Sequence, residues 1–146
     1  MQTEYGYFIF IKVEPSSNPD CSWEGYSQLD NCNFLKEAVK AIWNIEGPVG
    51  FIMAGVFTTA RIWKQFFGSS CDTFATDADA FLWYAQYDST GHATLTQSFN
   101  DFVPFGGWKA DDYRITAKQI GGYVKVPLLC ESKAWYPFVD LIWLQY

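Results

Sequence analysis

A chain of 146 residues with one composition throughout fits a single domain, and its apolar content, with seven Trp and nine Tyr, excludes the disordered class. A formal net charge of -6, without any run of Lys and Arg, excludes a phosphate-tracking surface, so nucleic acid is not an expected partner. No stretch approaches the ~20 apolar residues of a membrane helix, so none is expected to enter a membrane.

The segment Tyr7 to Glu14 is apolar and β-rich and stops at Pro15-Ser-Ser-Asn-Pro, as a buried strand does when it ends in a loop. A polar, turn-rich loop follows. Phe34, Leu35, Ala38, Val39, Ile42 and Ile45 then recur at helical spacing, with Asn31 or Asn33 as N-cap and Gly47-Pro48 as the stop. Val49 to Ala54 reads as a short buried strand. Thr58 or Thr59 opens a second helix in which Ile62, Trp63, Phe66 and Phe67 share a face before Gly68. Phe81 to Tyr87 gives a further buried strand ending at Asp88. A long loop rich in Gly, Ser, Asn and Pro runs to about Trp108, and two weaker strands are predicted at Ile115 to Ile120 and Phe138 to Leu144.

Alternating strands and helices imply parallel pairing with crossovers, and continuous apolar strands fit a sheet covered on both faces. Five strands and two clear helices make a partial (β/α) barrel, because a closed one needs eight units. The fold class expected is therefore α/β.

Cys21, Cys32, Cys71 and Cys130 are an even number, and none lies in a C-x-x-C arrangement, so disulfides are favoured over a metal site. The single histidine, His92, lies in a polar stretch and reads as a solvated loop residue. No cofactor and no metal are expected. Met1-Gln-Thr-Glu-Tyr-Gly has no basic region, and the apolar run that follows is cut short by Lys12, so no secretion signal is visible. Disulfide-forming cysteines without a signal would be reconciled by an incomplete N-terminus.

Several motifs, taken in order, carry a resemblance: Val13-Glu14, Pro15-Ser-Ser-Asn-Pro, Cys21-Ser-Trp, Asn31-Cys-Asn-Phe-Leu-Lys-Glu and Val49-Gly-Phe-Ile. They continue through Phe67-Gly-Ser-Ser-Cys, Leu82-Trp-Tyr-Ala-Gln-Tyr-Asp, Phe102-Val-Pro-Phe-Gly-Gly-Trp, Ala117-Lys-Gln and Val139-Asp-Leu. In this respect the chain resembles the animal branch of the glycoside hydrolase family 25, or Chalaropsis-type, lysozymes.

That resemblance implies residues 1–146 as the C-terminal part of a lysozyme-like domain, a partial (β/α) barrel lacking its first strands. Its open edges would favour self-association into a homo-oligomer. It implies a peptidoglycan N-acetylmuramidase, secreted, acting in antibacterial innate defence or bacterial digestion, with peptidoglycan or a related glycan as partner. It also implies that β-strand residues two apart share a face and place an Asp-x-Glu pair in the cleft. Here that pair reads Lys12-Val13-Glu14. Glu14 matches the general acid, and Lys12 stands where the partner aspartate is expected. An ammonium there favours the ionised carboxylate and repels the positive charge that builds at the sugar carbon, so weak or absent hydrolysis is expected and a non-catalytic glycan-binding role is the alternative. Asp140 matches an active-site carboxylate of the last strand. Tyr84, Tyr87, Asp88, Trp108 and Gln119 match the sugar cleft, as does Trp83, for which core packing is the favoured alternative. The disulfide pairing implied is Cys21 with Cys32 and Cys71 with Cys130.

Overall fold

A computed structural model describes residues 7–18, 22–45, 52–87, 98–125 and 138–144, with side chains described up to residue 119. The expected stop at Gly47-Pro48, His92, Asp88, Cys21 and Cys130 lie outside the described residues, as does the Asp140 side chain.

The elements run β1 (Tyr7–Lys12), α1 (Gln28–Trp43), β2 (Ile52–Thr58), α2 (Ala60–Phe66), α3 (Phe74–Asp77), β3 (Phe81–Ala85), β4 (Ile115–Lys125) and β5 (Phe138–Leu144). The strands form one sheet in the order β1-β2-β3-β4-β5. Pairing is parallel from β1 to β4 and antiparallel between β4 and β5. Each strand joins the edge left by the one before. This is the winding of a barrel, and it differs from a doubly wound sheet, whose strand order reverses at a switch point. Among the described residues β1 and β5 do not pair, so the sheet is open.

Parity along the strands separates two faces. Val13, Ala54, Val56 and Leu82 meet Leu35 and Val39 of α1 and Ile62, Trp63 and Phe66 of α2 in the core. The opposite face is aromatic. Phe10 packs edge-on to Trp83, Trp83 packs against Phe57, and Phe8 meets Phe81. Gly55 makes this possible, because a Cβ there would stand 2.6 Å from the Phe10 ring and 2.8 Å from the Phe81 carbonyl. Phe10 can lie across β2 only where β2 has no side chain.

The helix starts correct the expected caps in one case and match in the other. α1 is capped by Ser27, whose hydroxyl accepts from the Asp30 N–H at 3.1 Å and donates to the Asp30 carboxylate at 2.7 Å. This reciprocal cap begins the helix ahead of Asn31 and Asn33, the expected caps. Asn31 is instead buried, its amide donating to the carbonyls of Trp23 and Phe66. α2 is capped by Thr59, as expected.

The cysteine pairing is also corrected. Cys32, on the inner face of α1, is bonded to Cys71, at the end of a 3-10 turn (Gly68–Cys71) that follows α2. Both are buried, and their Cα atoms are 5.7 Å apart. A sulfur forms one such bond, so the expected Cys21–Cys32 and Cys71–Cys130 pairs are both replaced.

Candidate functional site: a cleft at the C-terminal ends of the parallel strands

Parallel strands all end on the same edge, and here the ends of β1, β2 and β3 open into a cleft of about 800 Å³. Beyond β1 the ladder continues for one more bond, from the Val13 N–H to the Phe57 carbonyl at 2.9 Å. That bond fixes the residue before Glu14, which lines the cleft with Pro15. Thr59 and Arg61 come from the start of α2, Tyr87 from beyond β3, and Phe102, Val103 and Phe105 from the loop that precedes β4.

Lys12 and Glu14 point to the same side, as their spacing predicts. The Lys12 ammonium sits 3.0 Å from Glu14 Oε2 at the margin of the cleft and 5.8 Å from the centre of the Phe57 ring. The two side chains are 65% and 42% exposed. Glu14 is thus partly open to solvent and faces an ammonium.

The remaining expected residues divide. Tyr87 lines the cleft and is 45% exposed, so it presents a flat aromatic face there. Tyr84 also borders the cleft but is only 2% exposed, and its hydroxyl donates to Asp101 at 3.1 Å. Burial, and then the Asp101 carboxylate beside it, pushes the Tyr84 phenol well above its ordinary range. Tyr84 is therefore a wall support. Trp108 departs from expectation: it is buried in the core, its indole N–H donating to the Ala80 carbonyl at 2.8 Å and its ring packed on Trp63, Phe74 and Phe105. Gln119 is buried one strand beyond the cleft, in register with Ala85, and its Oε1 has no hydrogen-bond partner among the described residues. The backbone of Asp140 lies in β5 between the pairs Val124–Val139 and Gly121–Leu141, at the same end of the sheet as Glu14.

Sequence reasoning missed three residues here. Arg61 is an exposed cation on the cleft wall. Lys118 is wholly buried, with its ammonium 2.5 Å from Asp101 Oδ2 and 3.2 Å from the Ser98 carbonyl. A lysine in the middle of an apolar parallel strand was the available signal, since a buried ammonium must find a carboxylate. Asp101, in a loop without regular pattern, gave none.

A family model described as "Lysozyme-like protein 1" matches residues 7–119, which takes in β1 to β3, the cleft and the first part of β4. The chain belongs to this lysozyme-like family. Its similarity extends to a curated relative, the "Probable GH family 25 lysozyme 5" of Dictyostelium discoideum, with 29% identity over 101 residues. The aligned stretch covers 69% of this chain and 38% of that protein, so the chain spans well under half the length of the relative. No solved structure matches. The lysozyme-like chain is thus of the glycoside hydrolase family 25 type, and its open α/β sheet is a partial barrel of that kind. Among the described residues no helix is long and apolar enough to cross a membrane.

Proposed function

We propose that this lysozyme-like protein binds peptidoglycan or a related glycan in the cleft beside Glu14 and hydrolyses it far more slowly than a two-carboxylate muramidase. The Lys12–Glu14 ion pair carries this reading. Hydrolysis of the linkage between N-acetylmuramic acid and N-acetylglucosamine needs one carboxylic acid to protonate the leaving oxygen and one carboxylate to stabilise the oxocarbenium-like carbon. With Lys12 in place, Glu14 is engaged in an ion pair and the second negative charge is replaced by a positive one. Tyr87 supplies a stacking face, and Phe102, Val103 and Phe105 an apolar wall, so binding survives the change that suppresses turnover. The non-catalytic glycan-binding role is the limiting case of the same reading.

A secreted protein acting in antibacterial defence or bacterial digestion is part of the proposal. The buried Cys32–Cys71 disulfide supports it, because such bonds persist in oxidising compartments. Placement in the animal branch of the family, which rests on the motifs alone, belongs to the same proposal.

Two measurements on purified peptidoglycan test the reading. Co-sedimentation should be saturable and weakened by Tyr87→Ala, and an absence of binding would dispose of the cleft as a glycan site. Reducing-end release should be slow and fall further in Glu14→Gln. Equal rates for the two proteins would remove Glu14 from the mechanism.

A further inference from the structure

We propose that Lys118 is a positioning residue that holds the aromatic wall of the cleft in place through Asp101 and the backbone of Ser98. The idea rests on the cleft reading above for its functional meaning and on the loop contacts alone for its structural one.

The wall is a stretch, residues 98–105, without helix or strand apart from an isolated bridge between Phe105 and Trp108. Such a segment keeps its shape only through anchors. Its downstream end is tied by the Gly106 carbonyl, which accepts from the Ala75 N–H at 2.8 Å, and by the Trp108 indole on Ala80. Its upstream end is tied by Lys118. The ammonium donates to the Ser98 carbonyl and pairs with Asp101 Oδ2, while Asp101 Oδ1 accepts from Tyr84. Tyr84 and Lys118 are neighbours in register on β3 and β4, so both sides of the clasp stand on the sheet. The Tyr84 ring packs on Phe99 and Phe102, with centroids 5.9 and 5.0 Å away. Phe102, Val103 and Phe105 are the loop's contribution to the cleft.

Burial makes the clasp selective. Lys118 is 0% exposed and Asp101 is 24% exposed, so the carboxylate can turn to water but the ammonium cannot. An apolar side chain of similar length at position 118 would fill the same space without recruiting the loop. The pair thus fixes where the wall stands more than how well the core packs.

Hydrogen-exchange mass spectrometry on the full chain tests this with Lys118→Met and the double variant Lys118→Met/Asp101→Asn. The double variant removes both charges of the pair and carries the test where the single one does not fold. In the double variant, amides in 98–105 should exchange about tenfold faster or more, with α1 and β2 unchanged, and the affinity for insoluble peptidoglycan should fall about tenfold. Lys118→Arg, which keeps a cation facing Asp101, should return exchange toward the wild-type rate. Unchanged loop exchange, an equal acceleration in α1, or a loosened loop with unaltered glycan affinity would each overturn the proposal. A wild-type chain that fails to bind peptidoglycan sinks the cleft reading instead, and the exchange pattern alone then decides whether Lys118 positions the wall.

Discussion

Replacing Cys32 and Cys71 together by Ala tests the corrected disulfide and measures what it contributes. The two residues are 39 positions apart, and closing a loop of that length removes unfolded-state entropy equivalent to about 4 kcal/mol at 25 °C in the chain-entropy account. Both sulfurs are buried among core residues, so Ala at the two sites adds roughly 1–2 kcal/mol of lost packing. A domain of this size has about 5–15 kcal/mol in total, so the variant should keep only a fraction of its stability and melt more than about 10 °C below the wild type. Urea unfolding followed by tryptophan fluorescence gives the free energy, because Trp63 and Trp108 lie in the core that is lost. The linkage itself is read by peptide mapping of the non-reduced protein, in which Cys32 should be recovered joined to Cys71. A Cys21–Cys32 peptide, or a loss below about 1 kcal/mol in the double variant, would refute the assignment and the entropy argument respectively.

Two further predictions concern charge. Lys12→Asp exchanges an exposed ion pair worth at most about 1 kcal/mol, so the melting temperature should hardly move, while reducing-end release from peptidoglycan should rise by about a hundredfold. A rate no higher than wild type would show that Lys12 is not what suppresses turnover. Asp112 forms a two-pronged pair with Arg114 at 2.8 Å, and although burial opposes it, the guanidinium holds this carboxyl below its ordinary value. A lowered folded-state value stabilises above the ordinary carboxylate range and is lost as pH falls through the folded value. Asp112→Asn should therefore cost about 2 kcal/mol at pH 7, and the gap to wild type should close below about pH 4 in denaturant titrations; a gap independent of pH would count against the pair.

Periodicity carried the α/β class, the second helix with its Thr59 cap, and the last strand in full, because each rests on residues that are local neighbours. It ended β2 too early, at Ala54, whereas the strand continues from Ile52 to Thr58, the expected residues Val49 to Phe51 lying outside the described ones. Gly55 reads locally as an interruption, whereas in the sheet it is the gap into which Phe10 packs. The antiparallel direction of β5 was equally hidden, since the path of a connection leaves no mark on the residues of the strand. At the site, the shared face of Lys12 and Glu14 follows from spacing alone and was legible. Trp108 was not, because a tryptophan matched to a cleft motif and one matched to a core look alike until the Ala80 carbonyl and Trp63 are seen beside it. The cysteines offer the same lesson: position in sequence cannot tell that the inner face of α1 carries Cys32 toward Cys71.

The Lys12–Glu14 pair matters unequally to stability and to chemistry. Both groups are more than a third exposed, so solvent screens their attraction and side-chain ordering offsets most of what is left. Folding is therefore nearly indifferent to it. In the function proposed above catalysis is not, because the reaction needs a negative charge beside Glu14 to favour a cation at the sugar carbon. On that reading Lys12 opposes this demand, and a single misplaced electrostatic group of this kind costs about 2.7–4 kcal/mol of barrier, a factor of roughly 10² to 10³. In the proposed function, a charge nearly silent in folding thus separates a lysozyme-like fold from lysozyme chemistry. The aromatic wall held by Lys118 and the Tyr87 platform lie on the other side of that division, since stacking and apolar contact need no second carboxylate.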